Sequence, residues 1–130
     1  MKTNTIGRVA DRAGISVETV RYYERQGLIQ QPDTPPSGFR EYPEDTVQRI
    51  LFIRRGKELG FTLQEISELL NLRVNPKENC DAVRLVTQKK IEDVDRRIKS
   101  LEQIRTQLQR LANACDGTGE TDCAILEAMN

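Results

Sequence analysis

The chain has 130 residues, which is enough for one or two small domains. Only 37 % of the residues are apolar and 5 % aromatic, which disfavours a compact globule and is typical of elongated helices with narrow apolar stripes. Twenty basic residues balance twenty acidic ones, so the net charge identifies no partner. Residues 1–57 carry ten basic and seven acidic side chains, whereas residues 58–130 carry ten and thirteen. A basic first half fits an anion-binding region.

The first residues contain no apolar signal segment, and no stretch approaches the ~20 apolar residues of a membrane span. We therefore expect a cytoplasmic protein with no membrane partner, in a compartment where thiols stay reduced. The chain has three cysteines and no histidine. An odd number of cysteines argues against a disulfide framework and favours metal or redox chemistry.

Two short helices open the predicted structure. Thr5 is a candidate N-cap for the first, which ends at Gly14, and Ser16 caps the second, which ends at Gly27. The apolar residues of the first helix recur at helical spacing: Ile6, Val9, Ala10 and Ala13. Two helices joined by a glycine-containing turn indicate a helix-turn-helix, with an ordinary helical hairpin as the alternative.

A proline-rich segment, QPDTPPSGFREY, follows and cannot be helical. Ser37-Gly38 within it predicts a short hairpin, or wing. Pro43 suits the first turn of a third helix that runs to Gly60, and Thr62 with Glu65 forms a capping box for a fourth, LQEISELLNL. Pro76 closes the first domain, for which we predict residues 1–75.

One long helix is predicted from about Asp81 to Ala114, a stretch with neither glycine nor proline. From Ile91 its apolar residues advance in steps of three and four, which is a heptad pattern with one three-residue stammer. The chain has no other segment that could cover this stripe, so we predict a homodimer through a coiled coil. Packing against the N-terminal domain is the alternative, but a helix about 50 Å long exceeds the width of a small domain.

The cysteines lie near the two ends of this helix. Cys80 is at its start, while Cys115 follows its end and Cys123 lies in the terminal segment. Sulfur ligands lie about 2.3 Å from a metal, so Cys80 cannot share an ion with the other two in one chain. If the two helices of a dimer run antiparallel, Cys80 of each subunit meets the Cys115 and Cys123 pair of the other. The alternative is a surface loop whose thiols have no joint role.

These segments together resemble the MerR family of metal-responsive transcription regulators. The resemblance covers SVETVRYYERQGLI, the wing ending in GFREY, the segment RILFIRRGKELGFTLQEISELL and the terminal cysteine loop. It implies a winged helix-turn-helix, an antiparallel coiled-coil dimer and a metal loop at the end of the coil. It also implies binding to promoter DNA with RNA polymerase, where metal binding bends and untwists the duplex and starts transcription.

The resemblance also implies which side chains contact DNA. Arg21 and Tyr23 match recognition-helix positions, with Arg21 on a base edge or phosphate and Tyr23 on a phosphate. Arg40 and Tyr42 match wing positions that grip the backbone. Further candidates are Thr19, Tyr22, Arg54 and Arg55.

The ligand set favours one class of metal. The copper, silver and gold branch of the family holds a monovalent ion between two loop cysteines and lacks the cysteine found here as Cys80. The loop length and the LANAC segment resemble that branch, and Ala124 stands where several branches have proline. Zinc prefers four ligands, which only Asp116, Asp122 or water could complete here. Three thiolates favour Hg(II), with Pb(II), Cd(II) and Zn(II) as alternatives.

The sequence therefore predicts a mainly α protein that is not an enzyme. Its parts are a winged helix-turn-helix domain at residues 1–75, a dimerisation helix at 76–114 and a metal-binding loop with a short terminal helix at 115–130. The predicted function is metal-dependent regulation of metal-resistance or efflux genes. The alternatives are a cytosolic metal-binding or trafficking protein, a thiol redox-sensing regulator, and a regulator responding to Cu(I) or Au(I).

Overall fold

The computed structural model describes residues 4–36, 38–115 and 123–130. These residues form helices and loops without a strand, which confirms the mainly α prediction. The helices are α1 (Ile6–Ala13), α2 (Val17–Arg25), α3 (Asp45–Glu58), α4 (Leu63–Leu72), α5 (Cys80–Ala114) and α6 (Ala124–Ala128). The chain divides into two compact units, residues 1–86 and 87–130. No helix among the described residues is long and apolar enough to cross a membrane.

The ends of the first helices follow the predicted caps. The Thr5 hydroxyl accepts a hydrogen bond from the Arg8 N–H at 3.4 Å, and the Ser16 hydroxyl accepts one from the Thr19 N–H at 3.1 Å. Gly14 ends α1 in the left-handed region, at φ 70°, where a residue with a Cβ atom is strained. The chain therefore turns sharply between α1 and α2, as a helix-turn-helix requires.

The capping box of α4 is also present. The Thr62 hydroxyl accepts from the Glu65 N–H at 3.2 Å, and the Glu65 carboxylate accepts from the Thr62 N–H at 2.8 Å. The two bonds satisfy backbone donors that no helical carbonyl can reach.

The core of the first unit is aliphatic and lies between α1, α2, α3 and α4. Its completely buried members come from all four helices: Val9, Val20, Ile50, Ile53 and Ile66. Helix α3 is also tied to the ends of α1 and α2 by hydrogen bonds. Arg54 Nη1 donates to the Ala13 carbonyl at 2.6 Å, and Arg49 Nη2 donates to the Leu28 carbonyl at 2.9 Å. The Arg54 bond satisfies a carbonyl at the end of α1, and the Arg49 bond ties α3 to the segment that follows α2.

Helices α3 and α4 pack closely together at Gly56. A Cβ atom on Gly56 would lie 2.8 Å from Ile66 Cγ1 and 3.0 Å from Ile66 Cδ1. We expect Gly56→Ala to lower the free energy of unfolding by about 1–2 kcal/mol, because overpacking outweighs the gain in helix propensity of ~1 kcal/mol. Gly7→Ala is the matched control in α1, where a Cβ atom meets nothing within 4 Å, and should be neutral or stabilising. Urea unfolding measures both changes, and an equal effect of the two substitutions would contradict the close approach.

The wing differs from the predicted hairpin in its described residues, 30–36 and 38–43. It is an irregular loop containing one turn, closed by the Gly38 N–H donating to the Pro35 carbonyl at 2.9 Å. Pro32, Pro35 and Pro36 have no N–H to give to a strand ladder, which explains the absence of strands in this part. Ser37, half of the predicted hairpin turn, lies outside the described residues.

Helix α5 confirms the predicted long helix to within one residue at its start. Within the second unit, its apolar stripe is exposed to between 38 and 64 %, at Ile91, Val94, Ile98, Leu101, Ile104 and Leu108. Asp93 forms ion pairs with Lys90 at 3.3 Å, Arg97 at 3.1 Å and Arg96 at 3.8 Å. Helix α5 thus presents a long apolar stripe that its own unit leaves exposed.

Candidate DNA interface and metal centre

Helix α2 carries four of the eight predicted DNA-binding residues, and three of these are at least partly exposed. Arg21 is exposed, and Thr19 is half-buried with its hydroxyl 2.8 Å from that of Ser16. The ring of Tyr22 is 39 % exposed, and the Arg25 guanidinium lies 5.9 Å from its centroid. A cation held over an aromatic face fixes the direction of both groups. These side chains form a polar, positively charged surface on one helix.

Tyr23 lies in the core, with only 4 % of its surface exposed. Burial raises the pKa of Tyr23, and the Arg54 charge opposes that rise. No buried side-chain nitrogen or oxygen of the described residues lacks a hydrogen-bond partner, and no hydrogen bond involves the Tyr23 hydroxyl. The hydroxyl is therefore not completely enclosed, although the residue as a whole belongs to the core.

The two predicted wing residues have different environments. Arg40 is exposed, and its Nε donates to the Thr34 hydroxyl at 2.9 Å. Tyr42 is only 5 % exposed, and its hydroxyl donates a hydrogen bond to the Glu24 carboxylate. Burial raises the pKa of Tyr42, the Glu24 bond and charge raise it further, and Arg40 and Arg21 oppose the rise. The phenol is therefore a protonated donor already bonded within the domain.

The two arginines of α3 also differ. Arg54 is bonded to the Ala13 carbonyl and thus has a structural contact in the domain. Arg55 is exposed and pairs with Glu58 at 3.3 Å across one turn. An exposed pair of this kind contributes little stability, so Arg55 stays available to another anion.

A cavity of about 450 Å³ between α2 and the wing contains residues that the sequence patterns did not single out. The cavity is lined by Arg21 and Glu24 of α2 and by wing residues that include Thr34, Phe39 and Arg40. Phe39 is 70 % exposed. The sequence signal for it was a lone aromatic residue in a polar, proline-rich loop. Glu24 lies within the SVETVRYYERQGLI segment but was given no role, because its partner Tyr42 is 18 residues away.

The three cysteines are free thiols, and two of them come together. Cys80 is the first residue of α5 and is exposed; Cys115 follows α5, and Cys123 precedes α6. Backbone N–H groups of Leu126 and Ile125 lower the pKa of Cys123 and burial opposes them, while a hydrogen bond with the Cys115 thiol lowers it further. A thiolate is the form that binds a metal, so the pair has the chemistry of a soft-metal site.

Among the described residues, the pair is not part of a larger ligand cluster. Across the described ranges 4–36, 38–115 and 123–130, no three His, Cys, Asp or Glu side chains are grouped as metal ligands would be. Asp116 and Asp122, the predicted additional ligands, lie outside those ranges. Two neighbouring thiols can hold a linear ion alone, whereas a trigonal or tetrahedral ion needs a ligand from elsewhere.

A helix that exposes Arg21 and Arg25 beside a loop that exposes Arg40, together with a separate thiol pair, is the arrangement expected of a DNA-binding regulator with a ligand-sensing end. Comparison with known proteins supports this class. A family model described as a MerR HTH family regulatory protein matches residues 4–72, and one described as MerR, DNA binding matches residues 47–111.

Three proteins resemble the chain over nearly its whole length. The HTH-type transcriptional regulator ZntR of Escherichia coli (strain K12) is 39 % identical over 127 residues, which cover 95 % of this chain and 90 % of ZntR. The mercuric resistance operon regulatory protein of Bacillus cereus is 41 % identical and covers 95 % of both chains. The crystal structure of the transcription regulator PbrR691 from Ralstonia metallidurans CH34, in complex with lead(II), has a TM-score of 0.84 and 36 % identity, with 100 % of this chain and 99 % of that chain covered.

The chain therefore belongs to the MerR family of metal-responsive transcriptional regulators, which are not enzymes. This confirms the resemblance found in the sequence. The names of the relatives specify different metals. Membership of the family therefore indicates that the inducer is a metal ion but does not identify which one.

Proposed function

We propose that the protein is a homodimeric regulator that binds promoter DNA and senses a thiophilic divalent metal ion. Metal binding distorts the DNA so that RNA polymerase, bound at the same promoter, transcribes metal-resistance or efflux genes. The observation that carries the proposal is the arrangement of α5, with Cys80 at its first residue, the Cys115 and Cys123 pair after its last, and an exposed apolar stripe between them. The protein acts in the cytoplasm, where the thiols stay reduced.

The apolar stripe supports dimerisation. Six aliphatic residues spaced at three and four positions remain largely exposed on one helix, which is unfavourable in water. A second copy of α5 offers an identical stripe, and two such helices can interdigitate as a coiled coil. An antiparallel pairing brings Cys80 of one subunit to the Cys115 and Cys123 of the other, so that each dimer has two three-thiolate sites.

The donor set supports a divalent soft metal. Cys80, Cys115 and Cys123 supply three sulfur ligands, and the chain contains no histidine. Trigonal thiolate coordination favours Hg(II), followed by Pb(II) and Cd(II), and Zn(II) would need a fourth ligand. The names of two similar proteins specify mercury and lead, which agrees with this order of preference.

For DNA binding, we propose a division of roles among the predicted residues. The exposed side chains Arg21, Tyr22, Arg40 and Arg55, with the Thr19 hydroxyl and the tip of Tyr23, contact the duplex. Tyr42 and Arg54 contribute through the contacts that they make within the domain. Phosphate contacts fix the register of the protein, and Arg21 is the side chain best placed for a base edge.

Transcription in vitro with metal-buffered solutions tests the proposal. With promoter DNA and RNA polymerase, we expect Hg(II) to activate at the lowest free concentration, followed by Pb(II), Cd(II) and Zn(II), while a strong chelator abolishes activation. Activation by Cu(I) or Au(I) at lower concentrations than Hg(II) would contradict the three-thiolate site. Reducing conditions throughout remove a disulfide-based response.

Binding to promoter DNA separates the regulator from a metal-trafficking protein. The affinity should fall steeply with salt, because each phosphate contact releases counterions from the duplex. A protein that binds the metal ions but shows no salt-dependent affinity for any duplex would support the trafficking alternative.

A further inference from the structure

A side-chain hydrogen bond joins the wing to the recognition helix. The Tyr42 hydroxyl, at the end of the wing, donates to the Glu24 carboxylate on α2. Among the hydrogen bonds of the described residues, it is the only one that connects α2 with residues 30–42. Both groups are shielded, since Tyr42 is buried and Glu24 is half-buried. A hydrogen bond to a carboxylate in such surroundings is stronger than one between neutral, solvated groups.

The other end of Tyr42 is fixed by the backbone. Its N–H donates to the Asn4 carbonyl at 2.8 Å, and the Asn4 side chain accepts from Arg12 Nη1 at 3.1 Å. Ile29, before the wing, is also buried, whereas the described residues between Ile29 and Tyr42 are exposed or half-buried. The loop is thus anchored in the core at its two ends. Of these two anchors, Tyr42 is the one whose side chain is hydrogen-bonded to the recognition helix.

Arg40 is two residues from this anchor and Arg21 is one helical turn before Glu24. Both arginines line the cavity that contains Glu24 and Tyr42, and the charges of both act on the Tyr42 phenol. Arg40 is held further by its bond to Thr34 within the loop. The contact between Tyr42 and Glu24 thus links the segment that carries Arg40 to the helix that carries Arg21.

We propose that Glu24 and Tyr42 are positioning residues that hold the wing arginine, Arg40, in register with Arg21 so that both engage the DNA together. The inference deepens the proposed DNA-binding function and rests on it. The negative charge of Glu24 lies beside two arginines and repels the phosphates of DNA. We therefore expect the hydrogen bond from Tyr42 to Glu24 to increase the affinity for DNA by more than this repulsion decreases it. The hydrogen bond would increase the affinity because the wing is already ordered before DNA binds, so less conformational entropy is lost on binding.

The test measures the affinity of the full-length protein for a duplex selected in vitro by the wild-type protein. Tyr42→Phe keeps the buried ring and removes the hydroxyl, and should weaken binding roughly tenfold. Glu24→Ala and Glu24→Gln are a matched pair, because both remove the charge but only glutamine can accept from Tyr42. We expect Glu24→Gln to bind several-fold more tightly than Glu24→Ala.

A double-substitution cycle distinguishes positioning from a general loss of structure. Arg40→Ala should lower the affinity for DNA about tenfold in the wild-type protein but only about twofold in the Tyr42→Phe protein. Without the Tyr42 hydroxyl, the wing no longer holds Arg40 in position to contact the DNA. Ile66→Val, a core change in α4 away from the wing, should lower thermal stability and leave both the affinity and the Arg40 effect unchanged.

The positioning role would be overturned if Arg40→Ala lowered the affinity for DNA equally in both backgrounds. It would also be overturned if the two Glu24 variants bound DNA with equal affinity. Either result would leave the proposed function intact. A wild-type protein that selects no duplex would overturn the proposed function, and the positioning role with it.

Discussion

Replacing Cys80 by serine is expected to abolish the transcriptional response to Hg(II), Pb(II) and Cd(II) while leaving metal-free DNA binding intact. The substitution removes one of three thiolates, so the loss of metal affinity should exceed the ~10- to 100-fold cost of losing an outer-shell partner. Cys80 is exposed at the first residue of α5, and no core contact is lost with its sulfur. Competition with a chelator measures the affinity. A Cys80→Ser protein that keeps its divalent response would show that the thiol pair acts without Cys80.

Mixed dimers test whether the site is shared between subunits. A Cys80→Ser chain and a Cys115→Ser, Cys123→Ser chain each form homodimers with no intact three-thiolate site. In the shared arrangement, a dimer of one chain of each kind regains one site, with Cys80 from the second chain and the thiol pair from the first. The expected stoichiometries are two ions for the wild-type dimer, one for the mixed dimer and none for either parent. A mixed dimer without a high-affinity ion would contradict sharing between subunits.

Placing a charge on the apolar stripe of α5 is expected to have the second large effect. Ile98 is half-exposed in the single chain, and a coiled coil would bury it in both copies. We expect Ile98→Asp to raise the dimer dissociation constant on the order of 10³-fold, from ~2 kcal/mol lost at each copy. Metal response and tight DNA binding should be lost together, because both need two subunits. Sedimentation equilibrium distinguishes the 14.9 kDa chain from a dimer of twice that mass.

Ser100→Asp is the matched control for this substitution. It introduces the same carboxylate two residues further along α5, at an exposed polar position outside the stripe. Its dissociation constant should remain within a few-fold of the wild-type value. An equal loss of the dimer in both variants would mean that charge on α5, and not the apolar stripe, controls assembly.

The helices were predictable because their ends depend on neighbouring residues. Thr5, Ser16 and Thr62 each bond an N–H three residues away, and the chain reverses at Gly14 through its own backbone conformation. The start of α5 was also placed to within one residue, since the helical stretch contains neither glycine nor proline. Local interactions of this kind are visible in the sequence without knowledge of the fold.

The wing shows the limit of such patterns. Ser37-Gly38 suggested a hairpin, but three prolines leave the neighbouring loop without the donors of a ladder in its described residues. Likewise, a motif match assigned Tyr42 to the DNA surface, and its ring is buried with the hydroxyl bonded to Glu24. The positioning role that we propose for Tyr42 rests on this hydrogen bond, which joins residues 18 positions apart.

The sequence by itself determined the family, the helices, the apolar stripe and the location of the thiols near the ends of one long helix. Each of these depends on residue spacing or on contacts within one turn. Only the tertiary structure decided that Gly56 meets Ile66 and that Tyr42 is bonded to Glu24. These contacts join residues brought together by folding, and the spacing of residues along the chain does not contain the distances between them.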